Sequence, residues 1–407
     1  MYILGKTNTG KSTLIKNMVA SDIRRGHGAA LIDPHGDLAG SLLDLIPDSR
    51  IKDVIYFNPA DLEYPIAFNP FEDVKPEKRH LVTSGLIAVF KKVSGDFWGP
   101  RMEHILRNAI LTLLEQPESV LSDIPLLLTD KYFRLNMVEK ISNRNVRNFW
   151  MSEFEKYTAW TRSEATAPIL NRIGQFLSTT LIHNIIGQPK SAFDLREIMD
   201  SGKILIADLS KGKIGDDNCS LLGSLLVTKL QLAAMSRADS PEGQRKPFYL
   251  FVDELHSFLT LSFADILSEA RKYGLYLVMS HQYIDQLDER IRAAIIGNVG
   301  SIISFRLGAE DAKYLSREFY PVFNEYDLVN IPNHHIYLKL MIDGRTSPAF
   351  SAITLPPITT ADSQCKKIIT RSRKKYALPR SEVEKRISDR YPAINLPMVK
   401  KLASQKF

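Results

Sequence analysis

The stretch GKTNTGKST, residues 5 to 13, constrains this chain more than any other feature. From Gly5 to Ser12 it fits the spacing G-x-x-x-x-G-K-[ST], in which backbone N–H groups close round the phosphates of a nucleoside triphosphate. The apolar MYIL before it reads as a short strand. KSTLIKNMVASDIRR after it reads as a helix with Leu14, Met18 and Val19 on one side. Strand, glycine loop and helix are the context in which the spacing acquires meaning. The nucleotide-contacting residues are therefore expected to be Gly5, Thr7, Asn8, Thr9, Gly10, Lys11, Ser12 and Thr13. Lys11 supplies a point charge for the phosphates, and the Ser12 hydroxyl is placed to ligate Mg²⁺.

Further apolar strands follow the loop. GAALIDPHGDL ends a strand at Asp33, and VIYFNP supplies another. Later come KILIADL (203–209), FYLFVDE (248–254), LYLVMSHQ (275–282), SIISFRL (301–307) and HIYLKLMI (335–342). Strands alternating with helical spacing predict an α/β fold, a mainly parallel wound sheet with helices on both faces. Residues 76–188 interrupt the alternation with long apolar-periodic helices, so they read as an all-α insertion. The nucleotide-binding domain is then discontinuous, residues 1–75 and 189–359, and 360–407 form a tail.

Two acids end the strand YLFVDE. Asp253 is expected to hold Mg²⁺ through water, and Glu254 to polarise an attacking water, because a carboxylate can accept that proton. Asp33 ends another strand and is expected to face the nucleotide, since strands of a wound sheet end on a common rim. His35 beside it reads as a turn residue that orders its loop. Gln282 ends its strand as a polar sensor of the γ-phosphate. Arg271, in SEARKYG, is either a helix-end cation or an arginine finger on the nucleotide rim of a neighbouring subunit.

Charge is unevenly placed. Residues 360–407 hold 13 Lys/Arg against 4 Asp/Glu, a net +9, whereas the whole chain is only +7. Such a tail suits contact with a phosphate backbone or a solvated terminus. Cys219 and Cys365 cannot make a disulfide framework. No apolar run reaches the ~18 residues of a bilayer span, and no leader layout is present, which reads as a soluble, cytoplasmic chain.

GKTNTGKST, DPHGDL, VDE and EARKYG followed by SHQ, in this order, resemble the HerA/FtsK superfamily of hexameric DNA motors. Within it the chain is most similar to HerA-like ATPases and to TraD/TrwB-type coupling proteins of conjugation and type IV secretion. The resemblance spans most of residues 1–355. It implies a RecA-like core assembling as a homo-oligomeric, six-membered ring, with ATP and Mg²⁺ between neighbours and DNA in the pore. It assigns Lys11 and Ser12 to phosphate and Mg²⁺, Asp253 and Glu254 to the Walker B pair, Gln282 to sensing and Arg271 to the finger, with Arg306 as a second candidate. In those relatives a β-barrel or transmembrane helices precede the phosphate loop. The chain is accordingly expected to be a fragment, or to borrow that function from a membrane or anchoring partner chain. Two other classes compete: an ATP-gated oligomeric scaffold that recruits an effector without moving DNA, and a basic scaffold with a decayed motor. Glu254 and Gln282 argue against the first, and the intact Lys11, Ser12, Asp253 and Glu254 against the second.

Overall fold

The computed structural model describes residues 1–72, 74–260, 263, 267–360 and 363–391. Its centre is a nine-stranded sheet. The strands are β1 (Tyr2–Leu4), β2 (Gly28–Asp33), β3 (Val54–Phe57), β4 (Ile204–Asp208), β5 (Phe248–Val252), β6 (Leu275–His281), β7 (Ile302–Ser304), β8 (His335–Lys339) and β11 (Phe350–Ile353), with a small hairpin β9 (Met341–Ile342) and β10 (Arg345–Thr346) beside them. The order is β11-β8-β7-β1-β6-β5-β2-β4-β3, and only the pairings of β8 are antiparallel. The wound parallel sheet is thus as expected. HIYLKLMI is not one strand, however: it breaks after Lys339 into the hairpin.

Side chains alternate between faces. Tyr2, Leu4, Ala30 and Ile32 enter one core, while Ile3, Ala29 and Leu31 enter the other. Burial on both faces explains why these strands read as unbroken apolar runs, each fully buried large side chain contributing roughly 1.5–3 kcal/mol. The second face is closed by helix α1 (Lys11–Arg24), through Ile15, Val19 and Ile23, and by α2 (Asp37–Leu43).

Between residues 79 and 186 the main elements are helices: α3 (Arg79–Ser94), α4 (Pro100–Leu114), α5 (Asp123–Thr129), α6 (Lys131–Glu139), α7 (Arg144–Asn148), α8 (Ala159–Leu177) and α9 (Thr180–Ile186). This bundle has no core of its own. Its apolar residues are continuous with the first face of the sheet, through α10 (Leu195–Ser201), the short α11 (Lys211–Ile214) and α12 (Asp216–Ser236). Gly85 lets α3 press on α12, for a Cβ there would lie 2.6 Å from Thr228 Cγ2. The segment Asp216–Asp239 is long and apolar enough to cross a membrane, yet 67% of its most apolar window is buried in this core.

The basic tail is not free. Residues Cys365–Tyr376 form a helix along the edge strand β3, where Tyr56 N donates to Ser372 Oγ (3.0 Å) and Arg373 Nε meets Asp61 (2.7 Å). A second helix, Arg380–Arg390, reaches the bundle. There the buried Asp123 carboxylate accepts from Arg390 (2.8 Å) and from Tyr391 Oη (2.6 Å). Lys367, Arg373, Arg380, Arg386 and Arg390 are ion-paired. As far as residue 391 the tail is therefore a strap from sheet edge to bundle, and its charge is partly spent within the fold. Residues 392–407, the remainder of that tail, lie outside the described residues.

Candidate functional site

The sheet register brings the predicted motifs to one rim. Leu4 pairs with His281 and with Ser304, and Val252 pairs with Ile32 and with Met279. The residues that follow, Gly5, Asp253 and Gln282, therefore share the C-terminal edge of adjacent parallel strands, the edge where ligands bind in such sheets.

The phosphate loop is held from below. Gly5 N donates to His281 O (3.3 Å) and Lys6 N to Arg306 O (3.0 Å). A Cβ on Gly5 would sit 2.5 Å from Phe305 Cβ, so only glycine fits there. Gly10 caps α1 with φ 118°, a conformation that glycine adopts freely. No side chain caps this helix, so the first-turn N–H groups of Lys11, Ser12 and Thr13 face outward, ready for an anion. The loop residues Thr7, Asn8 and Ser12 are exposed, while Thr9 is buried with its hydroxyl donating to Lys6 O (2.8 Å). Lys11 is also buried, and its Nζ donates to the carbonyls of Gly5 and Lys6 (3.0 Å for the latter). Burial holds the Lys11 pKa below its ordinary value, against the opposing pull of Glu254 and Asp253. A buried ammonium beside two carboxylates suits a phosphate that takes over its charge.

Asp253 and Glu254 are both buried. Ser280 Oγ donates to Asp253 Oδ1. Glu254 has a left-handed backbone, φ 46°, an arrangement that non-glycine residues hold mainly at functional sites. Its Oε1 accepts from Gln282 Nε2 (2.8 Å), and Gln282 Oε1 in turn accepts from Thr7 Oγ1 (3.1 Å). Gln282 thus ties Glu254 to the phosphate loop. Glu254 Oε2 has no hydrogen-bond partner among the described residues. Desolvation raises the Glu254 pKa above the usual carboxylate range, Asp253 adds to the rise, and the Gln282 bond opposes it. A desolvated carboxylate with one oxygen held and the other left without a hydrogen bond is suited to accept a proton from water. Together with the exposed Ser12 hydroxyl and the Asp253 carboxylate, the donor set fits a Mg²⁺–nucleotide.

Several expected residues take other places. Asp33 reaches the rim, but its Oδ1 accepts from His35 N and its Oδ2 from Ala39 N, both at 2.8 Å. Its oxygens serve its own turn and the start of α2 rather than facing outward. His35 lies in that turn, its backbone carbonyl accepting from Ser210 Oγ (3.1 Å). Arg271 is not on the nucleotide rim. It lies in the turn Ala270–Tyr273, before β6, whereas Gln282 lies just after β6. The six residue steps of β6 separate the two ends by about 20 Å. Arg271 is exposed and makes no side-chain hydrogen bond or ion pair among the described residues. It cannot reach the loop of its own chain. Arg306 does lie beside that loop, its guanidinium donating to Asn333 Oδ1 (2.9 Å).

Three contributors escaped the sequence reading. His334 N donates to Thr9 O (3.0 Å), which lays the turn before β8 over the phosphate loop. Asp208, at the end of β4, accepts from Tyr56 Oη (2.8 Å) and Ser210 Oγ. His256 brings Nδ1 within 3.5 Å of Glu254 Oε2. Only the Pro-Asn turn before HIYLK gave any local signal for these.

Comparison with known proteins agrees with this geometry. The sequence model of the type IV secretion-system coupling protein DNA-binding domain matches residues 1–319. No curated protein sequence matches the chain. Among solved structures, the plasmid coupling protein TrwB in complex with ADP and Mg²⁺ is similar, with 19% identity and a TM-score of 0.63 over 88% of this chain and 86% of that one. The unbound monoclinic form of the conjugative coupling protein TrwBΔN70 gives 18% identity and a TM-score of 0.61, covering 87% of this chain and 84% of that one. VirB4 of Thermoanaerobacter pseudethanolicus gives 14% identity and a TM-score of 0.54, covering 87% of this chain and 88% of that one. At such identities the structures attest the fold, a P-loop α/β core, while the sequence model attests the family. The chain belongs to the family of type IV secretion-system coupling protein DNA-binding domains.

Proposed function

We propose that this chain is an ATP-hydrolysing motor that binds DNA and moves it, working as a ring of identical subunits. The observation that carries the proposal is Glu254: one oxygen tied through Gln282 to the phosphate loop, the other without a hydrogen-bond partner among the described residues, and the carboxyl desolvated. A chain that only binds nucleotide has no use for a poised base.

The residues divide the work as follows. The N–H groups of Lys11, Ser12 and Thr13 and the Lys11 ammonium hold the β- and γ-phosphates. Ser12 and Asp253 would hold Mg²⁺, which when bound neutralises charge between the phosphates. Glu254 Oε2 takes a proton from the water that attacks the γ-phosphorus. Gln282 senses the γ-phosphate, because its amide already bridges Thr7 and Glu254. Arg271, exposed on the opposite rim, acts on the site of a neighbouring copy, where a guanidinium stabilises transition-state charge. That TrwB was solved with ADP and Mg²⁺, with an ATP analogue and with a GTP analogue supports Mg²⁺–nucleotide as the ligand. The family's DNA-binding domain supports DNA as the other partner.

Steady-state ATP turnover by the intact chain, with and without DNA, tests this. The motor reading expects hydrolysis that DNA stimulates. ATP-dependent assembly without turnover would favour the scaffold instead.

A further inference from the structure

We infer that Lys92, on the inserted bundle, is a positioning residue for Glu254: its side chain holds the turn that follows the acid and thereby sets where the carboxylate points. The inference rests on the motor reading above. The last turn of α3 carries Lys92 out to the rim of the sheet, where Nζ donates to the carbonyl of His256 at 2.7 Å. His256 lies in the turn Leu255–Ser257, directly after Glu254. Its ring places Nδ1 3.5 Å from Glu254 Oε2, and neither atom has a hydrogen-bond partner among the described residues. The two oxygens of the acid therefore face two different bodies. Oε1 faces the phosphate loop through Gln282, and Oε2 faces the bundle through His256 and Lys92.

The turn is otherwise fixed from below. Ser220 Oγ, on α12, donates to Ser257 O at 3.1 Å. Leu255 and Phe258 are fully buried, and Gly223 packs so tightly on Phe258 that a Cβ would approach its ring to 2.2 Å. The left-handed backbone of Glu254 persists only where the surroundings over-determine it. Lys92 supplies the one polar constraint on this turn that comes from the bundle among the described residues. A surface lysine would extend its ammonium into water. Lys92 is instead desolvated enough to lower its pKa to about 8, a cost that a structural surface residue does not carry. A shift of α3 relative to the sheet moves His256 and, through it, the base. DNA engaged by the bundle thereby has a route to hydrolysis.

The test compares the full chain with Lys92→Met, which keeps the stem and removes the donor, and with Lys92→Arg, which restores one. Four readouts are taken: affinity for a fluorescent ATP analogue, kcat and KM for ATP with and without DNA, thermal unfolding, and amide exchange across residues 254–258. Lys92→Met should bind the analogue as the wild type does, and its kcat should fall about ten- to a hundredfold, the cost of misplacing a catalytic group by about 1 Å. DNA stimulation should be lost, exchange across 254–258 should quicken, and Lys92→Arg should recover most of the rate. A Lys92→Met protein with wild-type kcat and unchanged exchange overturns the inference. So does a uniform loss of stability, affinity and rate that arginine does not relieve. Should the wild type hydrolyse no ATP, the motor reading falls, and exchange across 254–258 still decides whether Lys92 holds the turn.

Discussion

His281 makes the folded state sensitive to mild acid. It ends β6, immediately before Gln282, and no part of it reaches solvent. Its Nδ1 pairs with Tyr2 Oη at 3.3 Å, and the His256 ring stands 5.3 Å away. Desolvation first, then the like charges of His256 and Lys11, lower its pKa from 6.5 to about 3. In the unfolded chain the same imidazole charges near 6.5. His281 therefore contributes stability that is whole above pH 6.5 and is lost as pH falls from there toward 3. Each pH unit inside that window costs about 1.4 kcal/mol, so about 2 kcal/mol is gone near pH 5. The perturbation is His281→Gln, which keeps a polar side chain and removes the titration. Urea unfolding of both proteins near pH 7 and near pH 5 gives four free energies. The substitution lowers stability near neutrality through lost packing. The acid-induced loss should nevertheless be smaller in the variant by about 2 kcal/mol, because every other titrating group cancels in the comparison. Equal acid-induced losses in the two proteins would show that His281 takes up its proton as readily in the fold as in the unfolded chain, which would contradict a pKa lowered by burial.

Two other outcomes follow from the geometry. Mixing Arg271→Ala subunits with Lys11→Ala subunits, each inactive alone, should restore part of the ATPase, because a sound phosphate loop meets a sound finger at some interfaces. Mixed rings without activity would count against action in trans. Asp123→Ala strips the buried acceptor from Arg390, Tyr391 and Val120 N, so it should destabilise the bundle by about 3–5 kcal/mol, whereas Lys366→Ala on the exposed face of the strap should cost under about 0.5 kcal/mol. Equal melting temperatures in these two variants would mean that the strap does not tie the bundle down.

The site was most legible where chemistry is written contiguously. Gly5 to Ser12, Asp253 and Gln282 sit at the ends of apolar strands, and parallel pairing alone carries them to a common rim. The closeness of Arg271 to Gln282 in sequence conceals the length of β6, which puts the two at opposite ends of the strand. A strand-end acid such as Asp33 looks the same in sequence whether it meets phosphate or, as here, the amides of its own turn. The tail KKIITRSRKKY reads as solvated charge. Only Ile368 and Ser372, one helical turn apart, turn a narrow buried stripe toward the sheet, too little for periodicity to register. The edge strand β11 carries a mostly exposed FSAI after Pro348, so it lacked the buried apolar run that marked the other strands. The contact between Lys92 and His256 joins residues 164 positions apart, and no local pattern encodes it.

Glu254 is the proposed base of an ATP-driven motor. The most direct measurement is single-turnover ATP hydrolysis by Glu254→Gln in the presence of DNA, with nucleotide binding followed in parallel. The substitution keeps the shape of the side chain and removes its charge and with it the capacity to take a proton. Binding should match the wild type, while the hydrolytic step slows by about 10²-fold or more, leaving ATP intact on the protein. Hydrolysis at the wild-type rate by Glu254→Gln would contradict the assignment and, with it, the mechanism drawn from this site.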